Sequence, residues 1–153
     1  MKKSVILIIS TLSLIAIILI GLIFQRAEVY NVTIYVNEIV CTSIRIGDDY
    51  FETYYDETQN LYRIENSENP GVPLTLVYVP ELTLDIIYEV VPYEASNQSV
   101  TFYTDPNSLI ARVESETGRV LFLDEGTETF TVRANDNSNK SARIRLRAKI
   151  PDA

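Results

Sequence analysis

Apolar and polar residues alternate in short runs through most of this chain. Leu82, Leu84, Ile86, Tyr88 and Val90 fall on one face, and Thr83, Asp85, Ile87 and Glu89 on the other. A period of two predicts a strand with one face on a core and the other towards water. Pro92 ends that run. Val100 and Phe102 open the next, which Asp105-Pro106-Asn107 turns. Ile110–Glu114 and Arg119–Leu123 flank Glu116-Thr117-Gly118, a hairpin turn with a glycine available for positive φ. Gly126 precedes a strand over Thr127–Ala134, and Asp136-Asn137-Ser138-Asn139 turns the chain again. Ala142, Ile144, Leu146 and Ala148 then alternate with Arg143, Arg145, Arg147 and Lys149. Strands spaced by about ten residues and separated by polar turns predict an all-β sandwich.

The preceding part reads less evenly. Tyr30, Val32, Ile34 and Val36 alternate with Asn31, Thr33 and Tyr35, which predicts a strand over Tyr30–Val36. Ile39–Ile46 continues it after a break near Asn37-Glu38. Residues 47–73 form an acidic, tyrosine-rich stretch with seven acids, one arginine and four tyrosines. It is expected to be an irregular hairpin or long loop, with Tyr50–Tyr55 and Leu61–Ile64 as its strands and Asn69-Pro70-Gly71 as a turn. Whether it is an insertion into the sandwich or part of a second small subdomain is open. Pro73–Val79 starts another strand, with Pro80 as a break or edge marker.

Val5–Phe24 is uncharged and apolar. A helix of this length spans about 30 Å, the thickness of a bilayer's hydrocarbon core. Lys2 and Lys3 precede it, while Arg26 and Glu28 nearly cancel after it. That asymmetry keeps the N-terminus cytoplasmic and sends the rest outside. A cleaved signal peptide is the rival, but its apolar region is usually about 7–15 residues and ends at a small-x-small site. Phe24-Gln25-Arg26-Ala27-Glu28 offers none. The expected division is a transmembrane signal-anchor over 1–26 and an extracytoplasmic β-sandwich over 27–153, which begins close to the bilayer.

Several motifs, in order, carry a family likeness. Leu84 to Pro92 ends in "V-x-P", and Glu94-Ala95-Ser96-Asn97-Gln98-Ser99-Val100 is similar to "x-A-T-N-K-S-V". Asp105-Pro106-Asn107-Ser108 with Ile110-Ala111-Arg112-Val113 resembles "S-D-P-S…V-A-T-V". Gly118-Arg119-Val120 matches "G-x-V", and Gly126-Thr127-Glu128-Thr129-Phe130-Thr131-Val132 resembles "G-T-A-T-I-T-V". Together, residues 82–148 resemble the bacterial immunoglobulin-like domains of group 2. The resemblance implies a Greek-key immunoglobulin-like sandwich at a bacterial cell surface, of the kind used in adhesins, spacers and accessory domains, with no catalytic residues. Three departures stand out. Phe102 replaces the family's core tryptophan. Glu128 stands where a small or apolar residue is usual, so that strand end is expected to be exposed. The acidic stretch 47–73 has no counterpart.

Composition narrows the chemistry. The chain has no histidine and one cysteine, Cys41, so no Ser/His/Asp or Cys/His catalysis and no Cys/His metal set can be built within it. Cys41 reads as a small buried thiol, with an intermolecular disulfide as the alternative. Counting leaves a carboxylate pair open, yet acids on a sandwich are usually a solvated face, and no enzyme is expected. The net charge is −8, and without Lys2, Lys3 and Arg26 it is −11. Such a domain is repelled by nucleic acid and by anionic headgroups.

Two candidate sites remain. Asp48, Asp49, Glu52, Asp56 and Glu57 lie close together in sequence and could supply the oxygen ligands that calcium takes, without matching an EF-hand; Asp124 and Glu125 are a lesser candidate. Tyr50, Tyr54, Tyr55 and Tyr62 could form a partner-binding surface, because tyrosine joins apolar area to a polar tip. They could equally pack the stretch onto the sandwich. Arg143, Arg145 and Arg147, with Lys149, form a basic stripe. It reads as charge protection of an edge strand or as a dock for an acidic partner, including a second copy of the chain.

The expected function is a membrane-anchored, non-catalytic module for protein binding or display at a bacterial surface. The alternatives are a structural subunit of a membrane-bound envelope assembly and a short-range adhesin or calcium-dependent binding domain.

Overall fold

An unbroken apolar run with no proline has no reason to leave the helix, and residues Lys2–Arg26 form one, α1. A computed structural model describes residues 2–26 and 32–152. Lys2–Ile23 has a mean hydropathy of 3.0 and is long and apolar enough to cross a membrane. Three hydroxyls in α1 are satisfied within the helix. Ser10 and Thr11 donate to the carbonyl of Leu7, and Ser13 donates to that of Ile9. Such back-bonding lets hydroxyls sit on an apolar helix without an outside partner.

From Thr33 onward the described residues form a separate unit built from ten strands. They are β1 (Glu38–Ile46), β2 (Asp49–Asp56), β3 (Leu61–Ile64), β4 (Leu76–Val77), β5 (Thr83–Val91), β6 (Val100–Tyr103), β7 (Ala111–Val113), β8 (Arg119–Phe122), β9 (Gly126–Ala134) and β10 (Ser141–Lys149). One sheet runs β2-β1-β5-β8-β7 and the other β6-β9-β10-β3-β2, with β4 beside β3 on the same edge of β10. The sets β1-β5-β8-β7 and β6-β9-β10 are those of an immunoglobulin-like sandwich. The fold is all-β after the single N-terminal apolar helix.

β2 serves both sheets. Asp49–Glu52 pair with Ile46–Ser43 of β1, and Thr53–Asp56 pair with Ile64–Leu61 of β3. The handover coincides with a bulge in β1 between Cys41 and Ser43. A bulge bends and twists its strand, and there β1 stops pairing with β2. The Thr53 hydroxyl donates to the Cys41 carbonyl at this point.

The core follows the alternation. Ala142, Ile144, Leu146 and Ala148 of β10 are buried, as are Leu84 and Ile86 of β5. Phe102, Phe122 and Phe130 are the largest fully buried side chains, each stabilising by roughly 1.5–3 kcal/mol through area removed from water. Phe102 therefore occupies the apolar place expected for it. It meets Tyr88 edge to face, with ring centroids 5.5 Å apart.

Three expectations change. Residues 32–37 form no strand, and Tyr30 and Asn31 lie outside the described residues. The segment bonds instead to two loops and to the end of β5. Ile34 exchanges hydrogen bonds with Ser96, the Val36 amide donates to the Asp136 carboxylate, and the Asn37 amide donates to Val91. The strand expected over Pro73–Val79 shrinks to Leu76–Val77, flanked by single backbone bonds from Leu74 to Ile64 and from Tyr78 to Lys149. Glu128 is half-buried rather than exposed, since its carboxylate accepts from the Ser108 hydroxyl and from the Thr129 amide.

Candidate functional site

With β10's alanines and branched residues turned inward, its arginines must face out. Arg143 lies opposite Thr131 of β9, Arg145 opposite Thr129, Arg147 opposite Thr127, and Ser141 opposite Arg133. Arg133 thus belongs to the same outer face, and so does Arg63, which alternates with the buried Tyr62 and Ile64 of β3. Five arginines share this face of a chain whose net charge is −8. The edge-protection reading of the stripe is wrong. β10 is an interior strand, antiparallel to β9 on one side and parallel to β3 and β4 on the other.

The three stripe arginines are not equivalent. Arg143 is spent on structure, donating from Nη2 to the carbonyls of Gln59 at 3.3 Å and Asn60 at 3.2 Å, which clamps the β2–β3 turn. Arg145 is half-buried and donates from Nε to Thr129 Oγ1 at 3.1 Å. Arg147 is exposed, and among the described residues it forms no ion pair. Arg63 pairs with Asp56 at 2.9 Å, with both side chains about four-fifths buried.

The tyrosines divide likewise. Tyr62 is buried, at 8% exposure, and meets Tyr55 edge to face with centroids 5.1 Å apart. Burial pushes its phenol above the ordinary tyrosine value. Tyr54 is half-buried, while Tyr50 and Tyr55 are exposed. A contact surface of all four is therefore not present; Tyr62 packs the hairpin onto the sandwich. Tyr55, Tyr62 and Arg143 do converge. With Glu38 and Asn60 they line a cleft of about 330 Å³ beside the start of β10. A second groove, of about 420 Å³, lies along the far half of β10, where Arg63, Arg145 and Arg147 meet Val72, Pro73 and Thr127.

The acidic candidates are not brought together. Asp48 lies in the turn before β2 and Glu57 in the turn after it, so the strand holds the two ends roughly 25 Å apart at ~3.3 Å per residue. Asp49 and Glu52 fall on opposite faces of β2. Asp56 already accepts from Arg63 and from the amides of Thr58 and Gln59. Asp124 accepts from the Glu125 amide and Glu125 from that of Ile150. Among the described residues, no group of three or more His, Cys, Asp or Glu side chains is placed to hold a metal ion.

Two carboxylates that sequence reading passed over are structural. Asp85 sits between Arg45, at 2.6 Å, and Arg119, at 3.2 Å. The hydrogen bond from Arg45 is the main reason its carboxyl lies below the usual range; partial burial opposes the shift, and Arg119 adds to it. Asp136 is buried. Burial alone would raise its carboxyl, but bonds from the Ser138 hydroxyl and from the amides of Val36 and Ser138 bring it below the ordinary value. Arg63 did carry a signal in the sequence, as the one cation in an acidic stretch.

No protein-family model and no curated protein matches the chain. Among solved structures, the chain is similar to a C-terminal 282-residue fragment of intimin, crystallised with the intimin-binding domain of the translocated intimin receptor. The identity is 22% and the TM-score 0.40, with 56% of this chain and 27% of that one covered.

Proposed function

We propose that this chain is a membrane-anchored, non-catalytic interaction module of a bacterial cell surface, whose immunoglobulin-like sandwich holds a protein partner through the outer face of its second sheet. The observation that carries the reading is that face itself. It gathers five of the chain's arginines among threonines and is flanked by two concave sites along β10. Charge complementarity of this kind steers association and fixes orientation. The length and hydropathy of α1 support anchoring, with Lys2 and Lys3 favouring a cytoplasmic N-terminus. The motif order over residues 82–148, similar to group 2 bacterial immunoglobulin-like domains, supports the surface setting.

Crosslinking in native membranes, followed by mass spectrometry, tests the proposal. The expected product is a heterotypic adduct whose linked peptides map to β9, β10 or the β2–β3 hairpin. Recovery of monomer alone, or of adducts confined to the opposite sheet, would overturn it.

A further inference from the structure

The two concave sites along β10 differ in one respect that bears on ligand chemistry. In the cleft beside Tyr55 and Tyr62, Arg143 is already committed to two carbonyls and Glu38 adds a negative charge. In the groove of Arg63, Arg145 and Arg147, the lining includes no acid, and Asp56 offsets Arg63 alone. Arg145 is held by Thr129 through Nε, which leaves its two Nη groups for a ligand. Arg147 keeps its whole guanidinium for one. Two residues apart on a strand, Arg145 and Arg147 stand about 6.7 Å from each other along the chain.

We infer that this groove binds the carboxylates of an acidic polypeptide segment on the partner protein. The inference rests on the interaction-module reading above and adds to it the place and the chemistry of contact. A planar guanidinium takes a carboxylate through two parallel N–H···O bonds, and the Thr129 bond restrains Arg145 before a ligand arrives, which lowers the ordering cost of binding. The spacing of the two arginines is that of alternate side chains on an extended peptide. Val72, half exposed, and Pro73 supply an apolar wall beside the arginines. A peptide that alternates acidic with apolar residues covers both surfaces, whereas a phosphate polymer brings charge and leaves the wall wet.

The test uses the full chain in zwitterionic detergent micelles, with arginine Nε–Hε signals followed by NMR. The probe is a capped hexapeptide alternating glutamate with valine; its glutamine analogue and a polyphosphate of matched charge are the comparisons. Saturable shifts at Arg145 and Arg147 are expected with the glutamate peptide and not with the glutamine analogue. Arg147→Gln, at an exposed position, should weaken the affinity by about tenfold or more, and Arg147→Lys should restore part of it. No saturable shift, shifts at other arginines only, an unchanged affinity in Arg147→Gln, or tighter binding of polyphosphate than of the glutamate peptide would each overturn the inference. Native crosslinking of Arg147→Gln separates this inference from the broader reading. A partner captured as in the wild type removes the groove and leaves the module; no partner in either protein removes the module whatever the peptide does.

Discussion

Gly118 lies directly against the ring of Phe102. A Cβ built on Gly118 would stand 2.5 Å from Phe102 Cζ and within 2.9 Å of two further ring atoms. The glycine is also needed for its backbone, since its φ is +75°. Adding a methyl group there overpacks the core and strains the turn together. Gly118→Ala should therefore destabilise the domain by roughly 3 kcal/mol, the sum of an overpacking cost of about 1–3 and a left-handed backbone cost of about 1–2. Urea unfolding followed by tyrosine fluorescence would show a lowered midpoint. A midpoint within experimental error of the wild type would mean that the ring moves aside freely.

That contact was half legible in the sequence. Glycine in the turn and an apolar Phe102 could be read from spacing, but nothing local says that a turn between β7 and β8 packs under β6. The same limit explains the other differences. Alternation in Ser141–Lys149 identifies which side chains face the core, yet it is identical for an edge strand and an interior one; the partners β3 and β4 are distant in sequence. The β2–β3 hairpin is legible as an irregular pair of strands, but the bulge in β1 that passes β2 between sheets is not. Five acids close in sequence do not make one site, because an extended strand separates what sequence spacing keeps together. Residues 32–37 alternate like a strand, but Ile34 and Val36 meet the loop residues Ser96 and Asp136 where a neighbouring strand would be.

Cys41 should behave as a core residue and not as a reactive thiol. It is 1% exposed, and burial pushes its thiol up to about 12. The thiolate is the nucleophile, so at pH 8 the folded protein should resist iodoacetamide and become alkylated only on unfolding. Mass spectrometry with and without denaturant reads this directly. Labelling of the native protein at the rate of an exposed thiol would contradict the burial, and with it the packing of β1 on the core.

Acid should loosen the domain through Asp85 and Asp136. Both carboxyls lie below their ordinary value when folded, so the unfolded chain takes up their protons more readily. Their contribution is complete above the unfolded value of about 4 and is lost as pH falls through the folded values. Melting temperature should then drop more steeply below about pH 4 in the wild type than in Asp136→Asn or Asp85→Asn, each of which is less stable at neutral pH. Parallel curves for wild type and variants would show that neither carboxylate contributes in this way. In Asp136→Asn the amide of Val36 should also exchange faster with solvent, because that carboxylate holds residues 32–37 where no ladder does.

Tyr50 and Tyr62 should separate cleanly in their effects. Tyr62 is 8% exposed and stacks edge to face on Tyr55, whereas Tyr50 is 62% exposed. Truncating a buried aromatic removes its transfer energy and leaves a cavity, so Tyr62→Ala should cost about 3–5 kcal/mol. Tyr62→Phe isolates the hydroxyl and should cost far less, because the ring and its packing remain. Tyr50→Ala should stay within about 0.5 kcal/mol of the wild type, as surface changes usually do. Chemical denaturation of the three variants decides the matter. If Tyr62→Ala were as mild as Tyr50→Ala, the β2–β3 hairpin would not be packed on the sandwich, and the cleft it forms with Arg143 would lose its wall.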